Sequence, residues 1–192
     1  MPASTPLLVL ASASPRRAQL LEQGGYSFTV DAADVDESVL RDEPPAEYVL
    51  RVARAKARVV ADRRRAGSVV VLAADTTVVV DGDILAKPED AADAVRMLTA
   101  LAGRLHDVLT GVVVIAGERE ASEVVLTRVR FLPMTAAEIA WYVGTGEAHG
   151  KAGAYGIQGR ASRFIDWLEG SWSNVVGLPV ATVAQLLKKV GA

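Results

Sequence analysis

Short runs of consecutive aliphatic residues alternate along the chain with longer segments that have apolar residues at helical spacing. The continuous runs at Leu7–Ala11 and Val69–Ala74 predict buried strands, because a strand covered on both faces has no polar alternation. Further strands are expected at 26–30, 78–80, 84–86, 108–116, 122–131 and 164–168, and helices at 15–23, 45–65, 89–102, 135–143 and from 180 onward. Interleaved helices and strands predict an α/β (mixed α+β) fold with a mixed sheet.

Capping and turn residues support these boundaries. Ser14 is a favourable N-cap for a helix with Pro15 in its first turn, and Gly24-Gly25 is a typical end for it. The second helix is expected to end at Gly67, and Asp81-Gly82 is typical of a tight β-hairpin. Thr135–Glu138 has the spacing of a capping box, which predicts a helix start.

The composition indicates one folded domain. The chain has 192 residues, of which 51% are hydrophobic and 23% charged, and it has no cysteine. A formal charge of −2 argues against a nucleic-acid-coating protein, which is usually basic. The apolar runs are shorter than a membrane span, and Met1–Pro6 is unlike the basic start of a signal peptide. The expectation is a soluble, cytoplasmic protein without a membrane partner.

The turn after the first strand places two arginines at a predicted helix start. Ser12, Ser14, Arg16 and Arg17 surround a first turn whose dipole disfavours cations by about 0.3–1 kcal/mol each. A bound phosphate would reverse that effect, since free N–H groups, hydroxyls and guanidinium groups would all face it. The alternative is that both arginines are solvated, and the phosphate site is the favoured interpretation.

Three further positions are candidates for chemistry. Asp75-Thr76 is expected at the carboxyl end of a buried strand, where α/β sheets place ligands, although an Asx turn is an alternative. Lys87 precedes Pro88, which restricts its backbone. Lys56 lies off the helical stripe of neighbouring arginines, although a surface lysine is the more common explanation for both lysines.

An acidic segment follows the second predicted strand. Asp34, Asp36 and Glu37 have carboxylates suited to a hard cation such as Mg²⁺, and they equally fit a solvated loop. Both interpretations stand at this point. No twelve-residue calcium-loop pattern is present.

Taken in order, these pieces resemble the Maf family of nucleoside triphosphate pyrophosphatases. Any one piece is ordinary, whereas the ordered set is specific and spans about residues 7–187. The matching segments are Leu10–Arg17, Asp34–Glu37, Ala53–Ala57, Ala74–Thr76, Lys87-Pro88, Leu101–His106, Lys151–Gly159 and Val176–Pro179.

The resemblance implies a fold and an activity. The fold would be a single domain over residues 1–192, with an elongated, bent mixed sheet flanked by helices and two lobes around a central cleft, similar to inosine triphosphate pyrophosphatases. The enzyme would be a hydrolase that splits a nucleoside triphosphate into the monophosphate and pyrophosphate. A divalent metal cation (Mg, Mn or Co) would be required, and a homodimer is expected by resemblance alone.

The resemblance also assigns roles to matching residues. Asp75 would be the catalytic acid/base, with Lys56 and Lys87 holding the triphosphate and Glu37 and Asp75 associated with metal. The phosphate-binding set would be Ser12, Ser14, Arg16, Arg17 and Lys151. Arg16, Thr76 and Gln158 would read the substrate, and Gln158 resembles the branch acting on dTTP and UTP, with CTP or modified pyrimidine nucleotides as further candidates. Gly150 departs from the family, since many members have an acidic residue there.

Two other function classes are weighed against the pyrophosphatase. Relatives were linked by name to septum formation and cell-division arrest, which suggests a regulatory binding protein. The sequence has no basic arm or aromatic platform that would support nucleic-acid binding. A phosphatase releasing single phosphates is the third class, and product analysis separates it from the pyrophosphatase.

Overall fold

The computed structural model describes residues 7–65 and 68–192, and it groups them into two compact units. The first unit contains the chain up to Asp75, together with Thr110–Val125 and Gly177–Ala192. The second unit contains Thr76–Leu109 and Leu126–Val176. The expected helix end at Gly67 and the segment Met1–Pro6 lie outside the described residues.

Seven strands form one mixed sheet flanked by helices, which confirms the predicted fold class. The strand order is β2-β1-β3-β5-β6-β7, with β4 paired to β3. β1 is parallel to both β2 and β3, whereas the β3–β4 and β6–β7 pairs are antiparallel. The strands are β1 Leu7–Leu10, β2 Phe28–Val30, β3 Val69–Val80, β4 Asp83–Leu85, β5 Leu105–Ala116, β6 Arg119–Phe131 and β7 Ile165–Glu169. The helices are α1 Pro15–Gln23, α2 Pro45–Arg63, α3 Ala91–Leu101, α4 Ala136–Gly144, α5 Trp172–Val176 and α6 Val180–Lys189.

One prediction about β3 is wrong in a way that matters for the site. The sequence suggested that a strand ends before Asp75, whereas β3 continues without a break to Val80. The residues after Asp75 are β-branched, so they favour the extended backbone. Asp75 therefore lies in the middle of a strand, three residues beyond Leu72, where the pairing with β1 ends.

The first unit packs α2 closely against the sheet. Small residues of α2, Ala53 and Ala57, share a buried cluster with β-branched residues of β1, β3 and β5. A Cβ added to Gly111 on β5 would lie 2.6 Å from the carbonyl oxygen of Val49 on α2. Only glycine allows this approach, so the helix backbone is set close to the strands.

The second unit has its own core, built from α3, α4 and strands β3 to β6. Phe131, Tyr142, Tyr155 and Phe164 are among its buried residues. His106 is buried in this core, with Nε2 2.9 Å from the Tyr155 hydroxyl oxygen and its ring edge-on to Phe131. His106 is therefore a core residue of the second unit.

Local signals were confirmed at several element ends. Thr135 and Glu138 form the predicted capping box, and β3 and β4 form the Asp81-Gly82 hairpin. Ser14 occupies the N-cap position of α1, but its side chain makes no capping hydrogen bond. The short helix α5 was not predicted. Within residues 7–65 and 68–192, no helix combines the length and the apolar character that a membrane crossing needs.

Burial of His106 predicts acid sensitivity of the second unit. Burial lowers the pKa of His106 to about 4, below the unfolded value of about 6.5, so the unfolded state binds more protons between these pH values. The contribution of neutral His106 to the free energy of unfolding is therefore fully present above about pH 6.5 and is lost as the pH falls towards 4. We expect a loss of about 2 kcal/mol between pH 7 and pH 5 from this group alone.

The measurement is urea unfolding followed by tryptophan fluorescence, because all three tryptophans lie in the second unit. His106→Gln should remove most of this pH dependence. His149→Gln is the matched control, since His149 is exposed and should leave the dependence intact. An unchanged pH dependence in His106→Gln would contradict the assignment.

Candidate active site

The carboxyl end of β1 opens onto the candidate site. From β1 the chain leads through α1 to β2 on one side, then returns through α2 to β3 on the other side of β1. This reversal between β1 and β3 is a topological switch point, where open α/β sheets bind ligands. Ser12 and the first turn of α1 follow β1 directly, and Asp75 lies beyond the part of β3 that pairs with β1.

Arg17 anchors this turn from within. Its side chain is buried, with Nε donating to the carbonyl oxygen of Gly177 at 2.8 Å and Nη1 donating to Ser12 Oγ at 3.1 Å. Ser12 Oγ also accepts from the backbone N–H of Ser14 at 3.2 Å. Burial lowers the pKa of Arg17, while the nearby carboxylates of Asp75 and Glu37 raise it. Arg17 therefore ties the turn to the segment before α6.

Arg16 is placed differently from its neighbour. It is half-buried, and within the described parts of the chain its guanidinium contacts no carboxylate. Burial lowers its pKa. A half-buried cation at a helix N-terminus fits an anion, because both the helix dipole and the guanidinium favour negative charge there.

Lys56 brings two carboxylates together. Its Nζ lies 2.6 Å from Glu37 Oε1 and 2.7 Å from Asp75 Oδ1. The side chains of Lys56 and Asp75 are only 8% and 9% exposed, whereas that of Glu37 is 36% exposed. The expectation that Lys56 lies off the arginine stripe is confirmed: Arg51, Arg54 and Arg58 form their own ion pairs with Glu43 and Glu120.

The acidic segment divides into one residue that contacts Lys56 and two that do not. Residues 31–40 form no helix or strand. Asp36 is exposed and accepts from the backbone N–H of Ser38 at 2.9 Å, and Asp34 is also exposed. The structure therefore brings Glu37 to the lysine and leaves the other two carboxylates at the surface.

Glu37 and Asp75 are the two carboxylates that could hold a divalent metal. Among the described residues, no group of three or more metal-ligating side chains is preassembled. Mg²⁺ commonly takes one or two carboxylates and completes its shell with substrate phosphates and water. Glu37 and Asp75 converge on one ammonium, so they meet that requirement.

The remaining candidates belong to the second unit. Thr76 is half-buried on β3, whereas Lys87 and Gln158 are exposed. Lys151 Nζ donates to the main-chain oxygen of Glu147. Gly150 has a φ of 67°, a conformation that glycine tolerates without strain.

Sequence reasoning missed Glu147, which organises the segment around Gln158. Its carboxylate accepts from the backbone N–H of Arg160 at 2.8 Å and pairs with the Arg160 guanidinium at 3.4 Å. A Cβ on Gly159 would overlap this carboxylate. Tyr142 Oη also accepts from the backbone N–H of Gly156 at 3.3 Å. Only the glycine-rich composition hinted at such a packed loop.

Comparison with known protein families identifies the family of this chain. The profile of the family described as Maf-like protein matches residues 7–190. This chain belongs to the Maf-like protein family. The match covers both units, and it includes every candidate residue named above.

Curated relatives of this Maf-like chain are similar over nearly their full length. A dTTP/UTP pyrophosphatase of Anaeromyxobacter dehalogenans (strain 2CP-C) is 55% identical over 97% of this chain and 95% of the relative. A dTTP/UTP pyrophosphatase of Myxococcus xanthus (strain DK1622) is 51% identical over 100% of this chain and 96% of its own. The dTTP/UTP pyrophosphatase of Symbiobacterium thermophilum is 50% identical over 96% of this chain and 94% of the relative.

A solved structure is more distantly similar. The nucleoside-triphosphatase / dITP/XTP pyrophosphatase of Mycobacterium abscessus has 16% identity and a TM-score of 0.40, covering 65% of this chain and 72% of that one. This likeness is too weak to support an argument.

The two arginines of this Maf-like chain should respond differently to substitution. Arg17→Ala should lower the free energy of unfolding by about 1–3 kcal/mol, because it leaves buried hydrogen-bond partners unsatisfied. Arg16→Ala should keep or slightly raise stability, since it removes a cation from the first helical turn. It should nevertheless weaken binding of inorganic triphosphate by about tenfold or more, through loss of a charge-assisted contact. Urea unfolding and calorimetric titration measure the two effects, and equal stability losses in both variants would contradict this division.

Proposed function

We propose that this protein is a nucleoside triphosphate pyrophosphatase that hydrolyses the bond between the α and β phosphates, with dTTP and UTP as preferred substrates. The products are the nucleoside monophosphate and pyrophosphate. The observation that carries the proposal is the contact of buried Lys56 with Asp75 and Glu37, whose carboxylates lie near Arg17 at the start of α1. Relatives at about 50% identity bear the name dTTP/UTP pyrophosphatase, which supports the same activity.

Asp75 is the proposed general base. Its Oδ1 lies 2.7 Å from Lys56 Nζ, and this contact orients the carboxylate in the site. In the proposed step, this carboxylate takes a proton from the attacking water as the water oxygen bonds to phosphorus. The bond from phosphorus to the bridging oxygen breaks, and pyrophosphate leaves with that electron pair.

Positive charge at the first helical turn would bind the substrate. Arg16 and the N–H groups of α1 face an anion in this proposal, with Ser12 and Ser14 beside them and Arg17 as the buried support. Lys87 and Lys151 are proposed as further phosphate contacts, as the family pattern implies. Such cations stabilise charge that builds up on a leaving pyrophosphate.

Glu37 and Asp75 would hold the divalent metal together with substrate phosphate oxygens. A bound Mg²⁺, Mn²⁺ or Co²⁺ supplies Lewis-acid polarisation of the phosphate and lowers the pKa of bound water. Lys56 keeps both carboxylates in place. Binding of the metal would therefore require the Lys56 ammonium to share or release a carboxylate oxygen.

Gln158 is proposed to read the pyrimidine base, with Arg16 and Thr76 as further specificity positions. A neutral amide has a donor and an acceptor, which match the O4 and N3–H edge of thymine or uracil. A carboxylate offers acceptors alone, which suit the N–H groups of a guanine edge. The exposed position of Gln158 leaves its amide available to a ligand.

The direct test is product analysis with a panel of nucleotides and Mg²⁺. dTTP and UTP should give the monophosphate and pyrophosphate. Release of single phosphates would indicate a phosphatase instead. Absence of turnover with every nucleotide would favour the regulatory binding protein, for which the described residues offer no specific observation.

Asp75→Asn should abolish most activity while preserving the fold. The amide is nearly isosteric and can still accept from Lys56, but it cannot take a proton, so kcat should fall by about 10²–10⁴-fold. Asp62→Asn is a suitable control, because Asp62 is an exposed surface residue paired with Arg65. Near-normal turnover by a folded Asp75→Asn protein would remove Asp75 from the chemistry.

Gln158→Glu should erode the preference for pyrimidines. Since a site built to pair with one polar edge rejects another edge strongly, the ratio of kcat/KM for dTTP to that for 7-methyl-GTP should fall by at least about tenfold. Arg163→Gln is the control, because Arg163 is exposed and lies outside the loop, whereas Arg160 pairs with Glu147 within it. If the wild-type protein prefers 7-methyl-GTP, the proposed role of Gln158 is refuted, whereas the pyrophosphatase activity is not.

A further inference from the structure

Glu37 contributes a carboxylate to the site from a segment without regular structure. Residues 31–40 belong to no helix or strand, so no ladder of backbone hydrogen bonds fixes their position. Nevertheless, Glu37 Oε1 lies 2.6 Å from Lys56 Nζ. Some other contact must therefore place the backbone of Glu37.

Tyr48 makes that contact. Its hydroxyl donates to the main-chain oxygen of Glu37, with an O–O distance of 3.0 Å. Tyr48 is 4% exposed, so little water competes for this bond. Because a carbonyl oxygen can only accept, the Tyr48 hydroxyl is the donor of this bond.

One helix thus holds Glu37 at two points. Tyr48 and Lys56 are eight residues apart on α2, which places them on the same face just over two turns apart. The first binds the main chain of Glu37, and the second binds its carboxylate. Because Gly111 lets α2 pack tightly on the sheet, both contacts start from a rigid element.

Arg51 holds the same segment on its far side. Its Nη2 donates to the main-chain oxygen of Ser38 at 2.8 Å, and its guanidinium makes a two-pronged ion pair with Glu43. Glu43 in turn accepts from the backbone N–H of Leu40 at 3.0 Å. Arg51 also lies over the Tyr48 ring, 5.7 Å from its centroid.

We propose that Tyr48 is a positioning residue, whose hydroxyl holds the Glu37 backbone so that the carboxylate meets Lys56 and a metal-bound triphosphate. The hydroxyl touches neither the proposed substrate nor a reacting atom and acts through Glu37. This proposal rests on the proposed function for its kinetic consequence, but its structural consequence is independent of activity.

The first test measures the segment itself. Tyr48→Phe removes one oxygen and keeps the ring, over which the Arg51 guanidinium lies. Hydrogen exchange of a peptide covering residues 36–40 should accelerate by about five- to tenfold, because its main-chain anchor is lost. Tyr26→Phe is the matched control, since no hydrogen bond joins the Tyr26 hydroxyl to the described residues. Unchanged exchange in Tyr48→Phe would overturn the proposal.

The second test separates positioning from general stability. With dTTP, the Mg²⁺ concentration for half-maximal activity should rise by about tenfold in Tyr48→Phe, as it does when a partner of a metal ligand is removed. Saturating Mg²⁺ should restore most of kcat, because Asp75 and Lys56 remain in place. A fall in kcat that Mg²⁺ does not correct would overturn the proposed role.

A double-mutant cycle decides whether Tyr48 acts through Glu37. In the Glu37→Gln background, Tyr48→Phe should add less than about a twofold further change in the Mg²⁺ requirement, since both variants impair the same carboxylate. Full additivity would refute the coupling. If the wild-type protein hydrolyses no nucleotide, the proposed function fails, while the exchange experiment still tests the hold of Tyr48 on residues 36–40.

Discussion

A buried ammonium group that two carboxylates share is the interaction on which the site depends. Moving a lysine charge out of water costs several kcal/mol unless partners compensate for it. Lys56 is 8% exposed and meets Glu37 and Asp75 within 2.7 Å, so it has that compensation. The three residues come from a helix, an irregular segment and a strand, and the ion cluster therefore fixes these elements to one another. Removing Lys56 would leave two carboxylates without their shared counter-charge.

The charges of the first unit also explain why a metal suits the proposed chemistry. Arg16, Arg17 and Lys56 carry three positive charges, against two negative charges on Glu37 and Asp75. One net positive charge is too little to neutralise a triphosphate. A divalent cation between the carboxylates and the phosphates would add two positive charges to those that Lys87 and Lys151 are proposed to bring. The low overall charge of the protein is thus compatible with an anionic substrate.

The sequence predicted the elements well where local signals were strong. The Asp81-Gly82 hairpin, the Thr135 capping box and the glycine end of α1 all rest on nearest-neighbour chemistry, and all were confirmed. Asp75 was misplaced at a strand end because an aspartate normally disfavours a strand interior. Lys56, which lies 19 residues away in the chain, neutralises it there, and no local pattern encodes that partner.

The residues of the candidate site were recognised from ordered sequence motifs, whereas the residues that position them were not. Arg16 and Arg17 are indistinguishable in sequence, and only the contact with Gly177, 160 residues away, separates the buried anchor from the half-buried cation. Tyr48 is likewise an ordinary apolar position of an amphipathic helix until its hydroxyl is seen at Glu37. Residues that touch a ligand leave a local chemical signature, while residues that position them are defined by long-range contacts.

The loop around Gln158 follows a different principle from the ion cluster. It contains no buried charge cluster, and its shape comes from glycines packed around Glu147 and from backbone N–H groups bound to side chains. Such a loop can change the residue at position 158 without changing its backbone, because the exposed side chain takes no part in these contacts. The ion cluster has no such freedom, since each member neutralises another. If Gln158 reads the base and Asp75 is the general base, as we propose, substrate preference can change at the loop while the chemistry at Asp75 is retained, and one fold would serve nucleotides with different bases.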